Sequence, residues 1–173
     1  MADVLIMSTV ERFTSRLSTL EHLLSVGANH FQGDKESYLD RRLSHDMHSL
    51  GTQVAFTCNQ PHNFCRWTQG ISADNLDPNV VSMEQALKYI VQTKTELKAV
   101  DADDSLLSSQ HRLEFGENLF AELSGDQYLN DFLLPNFYFH LVTAYGILRM
   151  SGVNIGKRDY MLHLIPHVQQ SPS

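Results

Sequence analysis

The sequence predicts an all-α protein, a four-helix bundle with a short β-hairpin inserted before the last helix. Three observations lead there. Apolar residues return every three or four positions in four separate segments, the period of a helix that buries one face. Ser82 with Gln85, and Ser124 with Gln127, have the capping-box spacing that opens a helix, each just ahead of a periodic run. Between these two runs the period changes: Leu113 and Phe115 alternate with polar residues, Gly116-Glu117-Asn118 suits a turn, and Leu119, Ala121 and Leu123 alternate again.

The first helix is expected from about Asp3 to Val26, with Val10, Phe13, Leu17, Leu20 and Leu24 turned inward. The stretch GANHFQGDKESYLDRRLSHD mixes Gly, Asp, Ser and charges and reads as a long connection that could cross the bundle or cover its mouth. A second helix is expected to start after Ser44 or His45 and to carry Met47, Leu50, Val54 and Cys58 inward. It should end or kink near Pro61 and resume to Thr68. DNLDPNVVS is loop, and the third helix follows Ser82 with Ala86, Ile90, Thr93 and Leu97 in step to about Val100. The last helix opens at Ser124, must kink or restart at Pro135, and runs to about Met150, where Gly152 supplies the stop.

A chain of 173 residues suits one domain, since one core serves about 100–200 residues. We expect the bundle over residues 1–160 and a C-terminal tail over 161–173. A hydrophobic fraction of 42% and a charged fraction of 19% are those of an ordinary globule. The formal charge of -7, with no Lys/Arg cluster, argues against nucleic acid and against anionic membranes as partners. MADVLIMSTVERF lacks a basic start and breaks at Ser8, so it does not read as a secretory signal. No apolar run reaches the roughly 18–20 residues that span a bilayer. A cytoplasmic location is the expectation. Cys58 and Cys65, seven apart on one helix, are too distant for an unstrained disulfide and read as free buried thiols, while Pro61 spoils a zinc geometry with His62.

Chemistry concentrates on the last helix, PNFYFHLVTAYGILRMSG. At 100° per residue, Asn136, His140, Thr143 and Ile147 fall within about 60° of one another. Phe137, Leu141, Ala144 and Leu148 flank them on one side and Phe139 on the other, which places the polar line in the middle of an inward arc. Buried polar groups need partners, because an orphan costs about 1–3 kcal/mol. On the second helix Asp46, Gln53 and Thr57 fall along the edge of the apolar arc, facing the last helix across a pocket. His45 and His48 sit on other faces. Lys157, Arg158 and Asp159 could close a pocket mouth or pair with a dimer mate, and a metal on His163 and His167 is not expected across Pro166.

The segments PNFYFHLVTAYGILRMSGVNIGKRDY and HDMHSLGTQV closely resemble a domain-of-unknown-function family placed in the DinB/YfiT-like superfamily of four-helix bundles. The resemblance runs from the first helix to Tyr160 and is strongest from Asn136 to Asp159. It implies an up-down-down-up bundle, often a homodimer, with a divalent metal on one histidine of the second helix and an H-x-x-x-H pair of the fourth. Some members of that superfamily are thiol-dependent transferases or isomerases. Here His140 matches the second histidine of the pair, the first falls on Asn136, and the second-helix histidine falls near Gln53. Carboxamides are poor donors to zinc or nickel, so the resemblance implies a degenerate metal site. A retained zinc or nickel would need Asp46 or His48 beside His140.

Three functions stand open. In the first, the protein is a metal-independent enzyme of isomerase, cyclase or dehydratase type. It acts on a small apolar or mixed-polarity metabolite, with His140 as general acid/base poised near neutral pH. Gln53, Asn136, Thr143, Asp46 and Thr57 bind the substrate, and no cofactor is needed. The second is a DinB-type metal-dependent enzyme, such as a thiol-dependent transferase. The third is a binding or scaffold protein. No phosphate loop and no G-x-S-x-G elbow supports a nucleotide enzyme or a serine hydrolase.

Overall fold

Helix α1 spans Leu5–His30 in a computed structural model that describes residues 5–31 and 37–170. The expected start at Asp3 lies outside the described residues. Ile6, Val10, Phe13, Leu17, Leu20 and Leu24 are buried, as the period requires. The first turn is capped from a distance: Leu5 and Ile6 donate their N–H groups to the two carboxylate oxygens of Asp104, each at 3.0 Å. Replacing Asp104 with Ala should lower stability by about 1 kcal/mol, read as an earlier urea midpoint with an unchanged slope.

Helix α2 spans Leu50–Thr68, later than the expected start at Ser44 or His45. Local hydrogen bonding explains the delay. The Ser44 hydroxyl donates to Asp46, Met47 N–H returns to the Ser44 carbonyl at 3.1 Å, and Ser49 takes the N-cap, accepting from Thr52 N–H. Asp46 is therefore not on the helix. Pro61 does not end α2 either. Cys58, Phe64, Cys65 and Trp67 are buried on both sides of it, and that burial outweighs one missing backbone bond.

The segment 69–82 runs back along α2. Asn63 Oδ1 accepts from Asp74 N–H at 2.9 Å, Asn59 Oδ1 accepts from Leu76 N–H at 2.7 Å, and Val80 lies against Gly51. Helix α3, Met83–Lys98, consequently starts beside the start of α2 and runs parallel to it, with His62 reaching Glu96 at 2.6 Å near the far end. Ser82 caps α3 through Gln85 N–H, but the Gln85 side chain takes Val81 N–H at 3.3 Å.

Strands β1, Gln110–Gly116, and β2, Leu119–Ser124, form the expected hairpin, with Leu113 opposite Ala121. Glu117 and Asn118 make the turn with φ of 45° and 66°, the pair of positive values a two-residue hairpin needs. Ser124 and Gln127 close a complete capping box over the short α4, Gly125–Gln127. A π-helical turn, Tyr128–Leu133, then leads into α5, Leu134–Met150. The wider turn falls where Pro135 has no N–H to give and its ring would crowd a carbonyl one turn back. Gly152, at φ 89°, ends α5 as expected.

Directions follow from these ties. Gly27 faces Leu148 and Gly152 faces His30, so α1 and α5 are parallel; Lys94 pairs with Glu21, and Asp104 caps α1, so α3 opposes α1. Trp67 meets Tyr128 and Gln53 meets His140, so α2 opposes α5. That is up-down-down-up. Phe13 lies at the centre, edge-on to Phe64 at 5.5 Å and Phe137 at 4.9 Å. In the described part of the first connection, Tyr38 and Leu39 are buried. Beyond α5, α6 (Lys157–Tyr160) folds back on α1, and Asp159 meets His22 at 2.9 Å and Gly156 N–H at 2.8 Å. No helix among the described residues is long and apolar enough to cross a membrane.

Candidate functional site

Of the polar stripe on α5, only His140 reaches across the bundle. Asn136 Nδ2 donates to the Phe132 carbonyl of its own helix at 2.8 Å, and Thr143 Oγ1 donates to the Phe139 carbonyl at 2.7 Å. Thr57, on α2, likewise returns its hydroxyl to the Gln53 carbonyl at 2.7 Å. These three satisfy backbone rather than wall a site. Phe139, expected on the inward arc, is 57% exposed on the outer side with Val142 and Met150. The stripe therefore runs along the edge of the buried face, not through its middle. The helical wheel placed the residues relative to one another but could not say where the arc ended.

Between α2 and α5, His140 Nδ1 lies 2.8 Å from Gln53 Oε1, and Gln53 Nε2 donates to the His48 carbonyl at 3.3 Å. That second bond decides the first. With the amide nitrogen spent on a carbonyl, Gln53 offers His140 its oxygen, so the imidazole carries its proton on Nδ1. Nε2 keeps its lone pair and has no hydrogen-bond partner among the described residues. Phe56 and Phe139 hold the ring edge-on at 5.0 and 5.2 Å.

Burial first, and the neighbouring His48 second, push His140 down to about 4. The expectation of a group poised near neutral pH is thereby corrected: at pH 7 this imidazole is neutral. Because its folded value lies below the ordinary 6.5, the unfolded chain takes up a proton that the folded chain refuses. Stability should then climb between about pH 4 and 6.5 and stay level above, by on the order of 1–2 kcal/mol after discounting for the ring's solvent contact. Urea midpoints at pH 4.5 and 7, compared with those of His140→Asn, check this. An unchanged gap between the two pH values in the variant would refute it.

His140 helps to line a cleft of about 740 Å³. The lining also draws on Phe56, Gln60 and Trp67 of α2, residues 70–73 of the return segment, His111–Glu114 of β1, and Tyr128 and Phe132 of the π turn. His111 stacks on Tyr128 with ring centres 3.6 Å apart and packs edge-on to Trp67 at 6.2 Å. Burial lowers the His111 pKa and raises that of Tyr128 to about 12, so both are neutral. None of these residues entered the expected site. Tyr128 and Phe132 share a face at one-turn spacing, and His111 alternates with Leu113, but both patterns read equally well as core.

Of the expected binding residues, Gln53 and His140 meet, and Thr57, Thr143 and Asn136 turn away to backbone. Asp46 is exposed on the loop before α2, its carboxyl held below the usual range by Ser44. The donor set for the metal that the fold implies does not fit. His140 Nδ1 is taken by Gln53, Asn136 is turned to Phe132, and Asp46 and His48 are exposed, with the Phe56 ring packed against both His48 and His140. No three His, Cys, Asp or Glu side chains among the described residues group in a way that could hold a metal ion. Cys58 and Cys65 are free and buried, pushed up to about 12 chiefly by burial, and His62 is engaged by Glu96.

Residues 5–161 match a family described as "Domain of unknown function (DUF1993)". A crystal structure of a DinB family member protein from Shewanella denitrificans is similar over 88% of this chain and 88% of that one, at 26% identity and a TM-score of 0.76. No curated protein matches the chain.

Proposed function

The chain belongs to the DUF1993 family and has the DinB-like bundle, and from that premise we propose that it is a metal-independent enzyme of isomerase, cyclase or dehydratase type. Its substrate is a small molecule held in the cleft beside His140. One observation carries the reading: an imidazole whose Nδ1–H is locked by Gln53, leaving Nε2 as an unpartnered acceptor at an aromatic cleft. A neutral imidazole can accept a proton from a bound hydroxyl, amine or activated C–H and return it to another atom of the same molecule. That is the proton movement the three reaction types share, and none of them needs a redox cofactor.

Burial makes His140 a weak base in the empty cleft, so substrate must raise its basicity. An electron-poor C–H or an acidic hydroxyl held at Nε2 does so, because the imidazolium then forms beside a developing anion. Gln53 Oε1, accepting from Nδ1, stabilises that imidazolium and keeps the ring aimed. Asn136, Thr143 and Thr57 shape the helices rather than touch substrate.

The test is a comparison of small molecules carried through purification by tag-free protein and by His140→Ala, identified by mass spectrometry. A metabolite retained by the parent and lost at least tenfold from an equally stable variant is the expected result. Equal retention by both would exclude His140 from the site, and loss of folding in the variant would assign the residue to the core.

A further inference from the structure

The cleft's lining specifies the charge of what it holds. We propose that it selects a flat, uncharged, aromatic ligand bearing one hydrogen-bond donor, and rejects the anionic counterpart of the same ring system. This rests on the reading of the cleft as a substrate site and names the substrate's class.

Rings line much of the cleft, with Phe56, Phe132 and His111 partly exposed and Trp67 and Tyr128 almost wholly buried, beside carboxamides such as Gln60 and Asn75. Ring faces and edges are complementary to a planar π system, which can stack or meet them edge-on. A cleft of about 740 Å³ falls in the range that encloses a drug-sized molecule.

The charges decide the rest. Arg112 and Glu114 are the charged side chains of the lining, and they pair with each other at 2.5 Å. The Arg112 guanidinium also lies 3.5 Å over the Phe120 ring, outside the cleft lining. Among the described residues no lysine and no aspartate lines the cleft. A phosphate, sulfonate or carboxylate would lose water on entry and find Arg112 already shared with Glu114 and the Phe120 ring, in a chain whose formal charge is -7. A cation would find its one carboxylate already paired. An uncharged ligand loses little on entry, and its single donor meets His140 Nε2. Carboxylate-bearing thiol cofactors fall on the rejected side.

Trp67 is the protein's single tryptophan and lies in the cleft wall, so its fluorescence reports on occupancy. The probes are N-phenyl-1-naphthylamine, which is uncharged and carries one N–H, and 8-anilinonaphthalene-1-sulfonate, the same ring system with a sulfonate. Titration followed by Trp67 quenching should show the uncharged probe binding at least tenfold tighter. Ser72→Lys, at an exposed lining position, puts an unpaired ammonium at the cleft and should narrow that ratio at least fivefold. Equal or tighter binding of the sulfonate by the parent protein overturns the proposal, as does a ratio that Ser72→Lys leaves unmoved. His140→Ala separates this from the catalytic reading. If the variant keeps the tenfold selectivity but binds the uncharged probe as tightly as the parent, the selectivity stands and the role of His140 falls. If selectivity is absent while binding depends on His140, the reverse holds.

Discussion

Gly125→Ala should lower the unfolding free energy by about 2–4 kcal/mol and disturb the cleft at the same time. Gly125 is buried at the start of α4, its N–H donating to the Ser109 carbonyl at 2.8 Å. A Cβ there would fall well inside contact distance of the Leu106 carbonyl oxygen and 2.7 Å from Trp67 Cζ2. Neither neighbour can yield cheaply. The Leu106 oxygen is pinned by Ser109 N–H at 3.0 Å and the Ser109 hydroxyl at 2.6 Å, and Trp67 is packed between Phe64 and Tyr128. The variant should show an earlier urea midpoint and a shifted Trp67 emission maximum. Stability within about 0.5 kcal/mol of the parent would mean that the segment around Leu106 gives way freely, and the account of a rigid contact of Gly125 with Leu106 and Trp67 would fail.

The second large effect is at Phe137. This ring is fully buried on α5, edge-on to Phe13 at 4.9 Å and to Tyr138 at 5.4 Å. Phe137→Ala removes the ring from the meeting point of α1, α2 and α5 and leaves a cavity that the rigid helices cannot close. A loss of about 3–5 kcal/mol is expected, against a small change for Phe139→Ala, whose ring is mostly in solvent. The two residues are two positions apart on one helix, so backbone propensity cannot explain a difference between them. Equal costs in chemical denaturation would show that the buried face of α5 has been misassigned.

Much of the architecture was legible along the chain. Helical periods located α1, α3 and α5, and the change to alternation at Leu113 located the hairpin with its turn. Ser82 and Ser124 marked two helix starts because capping is a local bargain between neighbouring groups. The same locality misled at α2. The helix was expected to start after Ser44 or His45, but Ser44 and Asp46 satisfy each other in a turn, and Ser49 is the cap. At Pro61 an end or a kink with resumption to Thr68 was expected, and with burial on both sides the helix runs through Pro61 to Thr68.

The site was legible at one pair. Gln53 and His140 were expected to face each other and lie in hydrogen-bond contact. Asn136, Thr143 and Thr57 were expected with them, but a polar side chain on a helix can always turn to the carbonyl one turn back, and these three do. Asp46 was lost when α2 began later than expected. The aromatic walls at Trp67, His111, Tyr128 and Phe132 were not singled out at all.

What the sequence alone determined is the set of things that neighbours settle among themselves: periods, caps, turns and the lack of a Lys/Arg cluster. The tertiary structure alone decided which atoms of distant segments meet. His140 was expected to be poised near neutral pH, and its value is pushed down to about 4 chiefly because α2 and Phe56 bury it. The cleft exists because Asn59 and Asn63 hold the return segment along α2 while the hairpin leans on Tyr128 from the other side. Desolvation and enclosure depend on elements far apart in the chain, and no local pattern of residues encodes them.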